Sequence, residues 1–215
     1  KQKLFSVGIA ANYLSFLGVS AFRFVIPFYL QAALKLNPAQ VGLILVPNAI
    51  SRMILGPTIG ILSDKFDRRL FSFSGLVLTS AGLYLMGSMS ASSSVTFIIV
   101  CIIIFSAGSG MFMSPNSASI FSSGPANKHG VISALVNLSR NSGNVTGIAL
   151  SSAMVSAMLV ASGYQVNVET VLNADNTSHL VMTFINGMKL VFIFMGTLQL
   201  VSATAIASTR LTRNP

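Results

Sequence analysis

Apolar residues form six long runs in this chain, and short polar segments separate them. A helix that crosses the hydrocarbon core of a membrane needs about 20 predominantly apolar residues. Six stretches reach that length, at about 6–33, 40–62, 70–89, 95–121, 130–160 and 182–208. The pattern predicts an all-α membrane protein whose six transmembrane helices form a single bundle.

The composition supports a membrane protein. Of the 215 residues, 53% are hydrophobic and 8% are charged, whereas a soluble domain has roughly 25% charged residues. The net charge of +9 raises the possibility of nucleic-acid binding, but the sequence has no basic face or nucleic-acid motif to support it. We therefore predict the lipid bilayer, and no nucleic acid, as the surroundings of the chain.

The basic residues fall mainly on one side of the predicted membrane. If the amino terminus is cytoplasmic, eight cations lie on the cytoplasmic side, whereas Lys35 lies on the opposite side with Glu169 and Asp175. The eight are Lys1, Lys3, Lys65, Arg68, Arg69, Lys128, Arg210 and Arg213. Cytoplasmic loops carry an excess of Lys and Arg. This distribution predicts a multi-pass protein of the plasma (inner) membrane with both termini in the cytoplasm.

Three pairs of identical residues are each separated by 88 positions. They are Pro27 and Pro115, Gly42 and Gly130, and Arg52 and Arg140. The match aligns the sequences of the first two helices with those of the fourth and fifth. Because each copy is offset by three helices, the second copy crosses the bilayer in the opposite direction. Inverted repeats of this kind occur in secondary transporters. We predict repeat units at about 6–89 and 95–208.

Polar residues inside the spans concentrate in the first, second, fourth and fifth helices. The polar residues of the fifth helix, 137–144, lie on one helical face, which must contact protein or water. The third helix offers only Ser, Thr and Gly and is predicted to face lipid. The sixth is similar apart from Asn186, Lys189 and Gln199. The candidates for lining a pathway are Asn12, Arg23, Asn48, Arg52, Asn116, Asn137, Arg140, Asn141 and Asn144.

Proline and glycine interrupt two of these helices. The first span contains Pro27, and the fourth contains Gly108, Gly110 and Pro115. Proline removes a backbone hydrogen bond, which is tolerated in a membrane where neighbours or water satisfy the freed carbonyl. These residues predict helices that bend beside a cavity. Close helix packing is an equal alternative for Gly108 and Gly110.

Three arginines, Arg23, Arg52 and Arg140, lie within apolar spans. An arginine at the centre of a membrane costs about 2.5–3.5 kcal/mol, so each needs a partner or water. All four acidic residues lie outside the predicted spans. The partners are therefore backbone carbonyls, asparagine side chains, a carboxylate outside this chain or an anionic substrate. We favour hydrogen bonds inside the bundle for Arg52 and Arg140, whereas a pathway role and packing both stay open for Arg23.

The sequence contains no sign of catalysis. It has no phosphate-binding glycine loop of the P-loop type, no cluster of residues with metal-ligand spacing and no catalytic triad. The single cysteine, Cys101, lies in the fourth span, so an internal disulfide is excluded. We predict that the chain is not an enzyme and that it has no cofactor and no metal site.

A charged segment at residues 60–69 separates the second and third spans. Its spacing, Gly-x-x-x-Asp-Lys-x-x-Arg-Arg, resembles the signature loop of major facilitator superfamily transporters. The matching residues are Gly60, Asp64, Lys65, Arg68 and Arg69, and Asp67 stands where the family usually has glycine. Glycine would permit a left-handed turn at this position, and aspartate tolerates that conformation better than most residues.

Further stretches resemble one branch of this superfamily. They lie around Pro27, Gly42 and Pro115 and in the spacing Arg-x-x-Gly-x-x-x-Gly that begins at Arg140. In this order they are similar to the carboxyl-terminal half of multidrug efflux proteins of the drug/proton antiporter branch. The resemblance implies one half-bundle of a major facilitator fold. It also implies as partners a small-molecule substrate and a missing amino-terminal six-helix half, or a second copy.

The resemblance implies a conformational role for the charged segment. Its residues would act as a latch that keeps the inner side closed while the outer side is open. The carboxylate of Asp64 would then face the amino end of a helix in the neighbouring bundle, where an acid gains about 0.3–1 kcal/mol, or up to about 2 kcal/mol when partly buried. The implied function is proton-coupled efflux by alternating access.

Two other functions stay open on the sequence alone. A proton relay needs a protonatable group at membrane depth, and the predicted spans contain no Asp, Glu or His there. The chain could instead belong to a uniporter or symporter of the same fold that moves a metabolite or an organic anion. A non-transporting membrane subunit that binds a partner is the second alternative.

Overall fold

Six long helices form the protein in this computed structural model, which describes residues 2–164, 171–172, 174–175 and 178–208. Each helix is long and apolar enough to cross a membrane, so the six predicted spans are confirmed. Their predicted edges lie within four residues of the observed ones. The helices are α1 Gln2–Ala32, α2 Pro38–Lys65, α3 Arg68–Gly87, α4 Val95–Ser123, α5 His129–Ala161 and α6 His179–Ser208, with a 3-10 turn at Ala126–Lys128 between α4 and α5.

Polar side chains at the loop ends start two of these helices. Asn37 precedes α2, and its side-chain oxygen accepts a hydrogen bond from the backbone N–H of Gln40 at 2.9 Å, while the Gln40 side chain accepts one from the Asn37 N–H at 3.0 Å. Ser94 caps α4 by accepting from Phe97. Because the first N–H groups of a helix have no partner inside it, these caps fix where the apolar spans begin.

The helices of the two predicted repeats exchange partners. α2 packs mainly against α4, and α5 packs mainly against α1, while α3 contacts α4 and α6. An inverted three-helix repeat would place α1 and α4, α2 and α5, and α3 and α6 in equivalent positions. The repeat itself stays a prediction. α2 and α5 are also the two helices that the rest of the bundle covers least.

The prediction that α3 faces lipid is wrong for its small polar residues. Ser72, Thr79 and Ser80 are buried, and α3 lies between α4 and α6. Thr79 donates to the carbonyl of Gly75 in its own helix at 2.7 Å, whereas Ser80 donates to the carbonyl of Gly196 in α6 at 2.8 Å. A hydroxyl can therefore be buried here without a charged partner, because a backbone carbonyl accepts its proton.

The sixth helix was predicted to resemble the third, and it is likewise held in the bundle by a polar contact. Gln199 is fully buried, and its amide donates to the carbonyl of Leu14 in α1 at 2.9 Å. Its side chain also lies against Gly18, where an added methyl group would come within 2.6 Å of the amide nitrogen. A glycine in α1 therefore makes room for a polar side chain of α6.

Candidate functional site

The charged segment 60–69 contains the end of α2, a short connection and the start of α3. α2 ends at Lys65, Phe66 is extended, and Asp67 is the residue that caps α3. The side chain of Asp67 accepts a hydrogen bond from the backbone N–H of Arg69 at 2.9 Å. With φ −68° and ψ 110°, Asp67 is extended, so the left-handed turn that glycine would permit is not formed here. Aspartate is among the preferred N-cap residues, which explains why it serves at this position.

Asp64 lies in the last turn of α2 and is exposed. Its carboxylate accepts a hydrogen bond from Nη2 of Arg68 at 2.6 Å. The Asp64 side chain is 64% exposed and the Arg68 side chain 36% exposed, and exposed pairs of this kind contribute about 0–1 kcal/mol. The ion pair therefore leaves the carboxylate accessible to a stronger partner. The predicted contact with a helix of a second bundle stays a prediction.

The other residues of the segment connect it to the bundle. Arg69 donates from Nε to the carbonyl of Ile206 in α6 at 3.0 Å. Gly60 lies where α2 approaches α4, since an added methyl group would come within 2.9 Å of the Ser114 hydroxyl oxygen. Lys65 is exposed. The segment thus contacts α6 through Arg69 and α4 through Gly60.

A cavity of about 300 Å³ lies beside the charged segment. Its lining combines both carboxylates of the segment with hydroxyl and amide groups of α3 and α4, among them Asp64, Asp67, Arg69, Ser72 and Asn116. The cavity is bordered by α1, α2, α3, α4 and α6. Movement of any of these helices would therefore change the surroundings of the charged segment.

The predicted polar stripe of α5 has an exposed part and a packed part. Asn137 and Asn141 are exposed, whereas Arg140 and Asn144 are half-buried. The Arg140 guanidinium lies over the Phe16 ring, 5.0 Å from its centroid. Asn144 accepts a hydrogen bond from the Ser20 hydroxyl at 2.6 Å. One side of the stripe therefore holds α5 against α1, and the other side presents amides away from the bundle.

Two glycines of the Arg140 stretch allow α5 to approach α1. A methyl group at Gly143 would come within 2.5 Å of the Tyr13 carbonyl oxygen, and one at Gly147 would come within 2.5 Å of the Leu17 carbonyl oxygen. Small residues let membrane helices pack with their backbones close together. The Arg-x-x-Gly-x-x-x-Gly spacing is therefore a packing surface for α1, with Arg140 placed over an aromatic ring at its edge.

The candidate asparagines of α1 and α4 are buried between helices. The Asn12 amide donates to the Val136 carbonyl at 3.3 Å and to the Ser139 hydroxyl at 2.6 Å, both in α5. The Asn116 amide donates to the Gly8 carbonyl in α1 at 3.1 Å. Both amides join helices of the two predicted repeats. A role for them in lining a pathway stays a prediction.

Arg52 hydrogen-bonds within the bundle, whereas Arg23 is exposed. The Nη2 atom of Arg52 donates to the Ser109 hydroxyl in α4 at 2.8 Å. Asn48, one turn earlier in α2, is half-buried, and Arg23 lies on the surface of α1. The structure therefore agrees with a hydrogen bond inside the bundle for Arg52, and a pathway role for Arg23 and Asn48 stays a prediction.

The proline and glycine positions differ in their packing. Pro27 and Pro115 both lie inside unbroken helices. Gly108 lies directly against α3, since an added methyl group would come within 2.7 Å of the Gly75 carbonyl oxygen, whereas at Gly110 the nearest atom is the Leu55 Cβ at 3.5 Å. Close packing therefore applies to Gly108 and not to Gly110, and helix bending at these positions stays a prediction.

Comparison with known proteins decides the family. The sequence profile of the Major Facilitator Superfamily matches residues 9–212. The chain belongs to this superfamily. Six spanning helices with the packing described above fit one half-bundle of the major facilitator fold, and the resemblance drawn from the charged segment is confirmed.

Individual members of the superfamily are similar to this chain at about 30% identity. An uncharacterized transporter, YebQ of Escherichia coli (strain K12), is 32% identical over 71% of this chain and 33% of its own length. The riboflavin transporter RibZ of Clostridioides difficile (strain 630) is 30% identical over 74% of this chain and 35% of its own. The multidrug efflux pump LfrA of Mycolicibacterium smegmatis is 30% identical over 67% of this chain and 29% of its own length.

The chain spans about a third of the length of the superfamily members it matches. All three are named as transporters or pumps. Their names differ in substrate, because one is a riboflavin transporter and another a multidrug efflux pump. The comparison therefore shows the superfamily and does not identify a substrate.

Proposed function

We propose that this chain is half of a secondary active transporter that exports drugs or other small amphipathic molecules by alternating access. The observation that carries the proposal is the row of polar side chains at membrane depth on a face that the bundle leaves uncovered. Asn137 and Asn141 on α5 are exposed, and Arg23 on α1 is exposed as well. Polar groups in a membrane must face protein or water, so this face borders a hydrated pathway or a second bundle.

The partner that covers this face is a second six-helix half, or a second copy of the chain. α2 and α5 also present large apolar side chains at the surface, among them Met53 at 77% exposed and Val145 at 70%. Lipid tolerates these apolar groups but not the amides beside them. A mixed polar and apolar face is therefore better matched by another protein surface around a substrate site, with lipid around the remainder of the bundle.

The orientation follows from the distribution of charge. Lys3 at the start of α1, Lys65 and Arg68 at the α2–α3 connection and Lys128 before α5 share the predicted cytoplasmic side. Lys35 lies at the other end and donates to the carbonyls of Leu172 and Ala174. Positive charge marks the cytoplasmic side, so we place the helices in the plasma (inner) membrane with both termini in the cytoplasm.

Coupling to protons requires a group outside the described part of this half. Asp64 is the acidic residue in the six described helices, and it lies in the last turn of α2 and is exposed. A proton relay through the membrane uses acids or histidines at depth. The coupling carboxylate therefore belongs to the second half, where it would bind and release the proton as the two halves rock.

A metabolite transporter of the same fold is the second candidate. RibZ, which is named a riboflavin transporter, is as similar to this chain as LfrA, which is named a multidrug efflux pump. The polar groups on α5 would then select one substrate instead of accepting many. A uniporter or symporter for a metabolite or an organic anion differs from the first proposal in the direction of transport, in its coupling and in its selectivity.

The natural full-length protein, reconstituted in proteoliposomes, tests the proposed function. Under an imposed proton gradient we expect uphill movement of several chemically unrelated amphipathic dyes, which stops when an ionophore collapses the gradient. Transport of a single metabolite, unaffected by the ionophore, would favour the uniporter. No movement of any dye or metabolite in protein that is folded and inserted would contradict transport and favour a non-transporting subunit.

A further inference from the structure

The helices around Arg52 provide hydrogen-bond acceptors for only some of the N–H groups of its guanidinium. Its Nη2 donates to Ser109 Oγ at 2.8 Å, but its Nε is buried and has no hydrogen-bond partner among the residues that the structure describes. A buried donor without an acceptor costs free energy, and more so when it is charged. The guanidinium therefore keeps one N–H group that no described residue accepts.

A second polar atom without a partner lies on the helix surface that Arg52 contacts. Ser106 precedes Ser109 by three residues in α4, and both are fully buried. The Ser106 hydroxyl has no hydrogen-bond partner within the described ranges. Residues three apart share a helix face, so this face of α4 presents one hydroxyl that is bonded to Arg52 and one that is not bonded.

Arg23 adds a second positive charge to the same region. It is exposed on α1, and α1 contacts both α2 and α4. No acidic side chain at membrane depth neutralises them in the part of the chain described. Like charges repel strongly where water is scarce, and an anion placed between them relieves that repulsion.

We propose that Arg52 and Arg23, with the hydroxyls of Ser106 and Ser109, bind the anionic group of a transported substrate. A guanidinium forms strong, oriented hydrogen bonds with the oxygens of a carboxylate or a phosphate. The inference rests on the proposed function, because it makes this region of α1, α2 and α4 part of the pathway. It narrows the amphipathic substrates to those that carry a negative charge.

The same oxygens could come from a carboxylate side chain of the second bundle. A matched pair of fluorescent dyes, one with a free carboxylate and one with that carboxylate as its methyl ester, separates the two sources. Their binding to the purified natural full-length protein is measured by fluorescence anisotropy, which does not require transport. A substrate site distinguishes acid from ester, whereas a site already filled by a protein carboxylate does not.

We expect the natural protein to bind the acid more tightly than the ester. Arg52→Gln should weaken binding of the acid roughly ten- to hundredfold, which is the range for loss of a hydrogen bond to a charged group, and leave the ester unchanged. Arg23→Gln should also weaken binding of the acid, but by a smaller factor, because Arg23 is exposed. Lys189→Gln in α6 is the matched control, since it removes a positive charge away from this site.

Equal binding of acid and ester by the natural protein would overturn the proposal, whether or not either dye is transported. A lower melting temperature of the Arg52→Gln variant with an unchanged preference for the acid would also overturn it, because Arg52 would then pair with a protein carboxylate. If Arg52→Gln does not fold, the proposal is tested by the effect of Arg23→Gln on binding of the acid and by the difference between acid and ester in the natural protein. A clear preference for the acid without transport would support the site and contradict only the proposed function.

Discussion

Replacing Gly108 by alanine is expected to destabilise the bundle. The added methyl group would come within 2.7 Å of the Gly75 carbonyl oxygen and of the Thr79 hydroxyl oxygen in α3. These atoms belong to a buried helix and to a short side chain, so α3 and α4 would have to separate. Overpacking of this kind costs about 1–3 kcal/mol, and we expect a lower melting temperature of the detergent-purified protein and a lower amount in the membrane.

Gly110→Ala is the matched control in the same helix. Its methyl group would meet only the Leu55 Cβ at 3.5 Å, which is ordinary van der Waals contact. Replacing a helical glycine by alanine without strain stabilises a protein by about 0.4–1 kcal/mol, because the unfolded chain loses freedom. We therefore expect an unchanged or higher melting temperature. Equal destabilisation by both substitutions would contradict the close packing of α3 against α4 at Gly108.

Asp64→Asn is expected to reduce transport severely while insertion and abundance stay normal. The carboxylate lies at the exposed end of α2 and is held by Arg68 alone among its recorded hydrogen bonds, so its removal costs the isolated half little. If the carboxylate contributes about 1.4 kcal/mol to the outward-open state through a helix amino end of the second bundle, its loss shifts the two-state ratio about tenfold. Dye uptake into proteoliposomes measures the effect.

Asp67→Asn provides the control for charge in the same segment. Asparagine is about as good an N-cap as aspartate, so the cap on α3 is kept while one negative charge is lost. Transport should stay near the level of the natural protein. A similar loss of transport in both variants would show that net charge matters and position does not. Normal transport by Asp64→Asn would remove the latch from the mechanism.

The helices and their limits follow from the sequence because a membrane imposes one simple constraint. Apolar runs of sufficient length must form helices that satisfy their own backbone hydrogen bonds, so the spans could be predicted within a few residues. The structure adds the caps at Asn37 and Ser94, which fix the starts of α2 and α4. The family could be predicted from the spacing of the charged residues around Asp64, because this spacing lies within ten consecutive residues and can be recognised without knowledge of the fold.

The contacts between helices could not be predicted in the same way. Arg52 and Ser109 lie 57 residues apart, and the Phe16 ring beneath Arg140 is in another helix, so no local pattern connects these residues. The burial of Thr79 in α3 could not be predicted, because its hydroxyl donates to a carbonyl of its own helix. The sequence alone does not distinguish such a threonine from one that faces lipid. The capping role of Asp67 could not be predicted from the family pattern, which has glycine at this position, whereas the Asp67 side chain caps α3.

The most direct test of alternating access uses a single reactive cysteine in the natural full-length protein. Its cysteines, including the buried Cys101, are replaced, and Asn141→Cys is introduced on the exposed face of α5. A membrane-impermeant maleimide is then applied from one side or the other of oriented proteoliposomes. We expect labelling from both sides, with a proton gradient changing the preferred side and substrate slowing the reaction.

Val77→Cys on α3, which is 37% exposed, is the comparison, because that surface faces lipid if α2 and α5 face the pathway. It should react from neither side. Labelling of Asn141→Cys from both sides, with Val77→Cys unlabelled, is the result that alternating access predicts. Reaction of Asn141→Cys from neither side, or from one side only under every gradient and substrate condition, would contradict it.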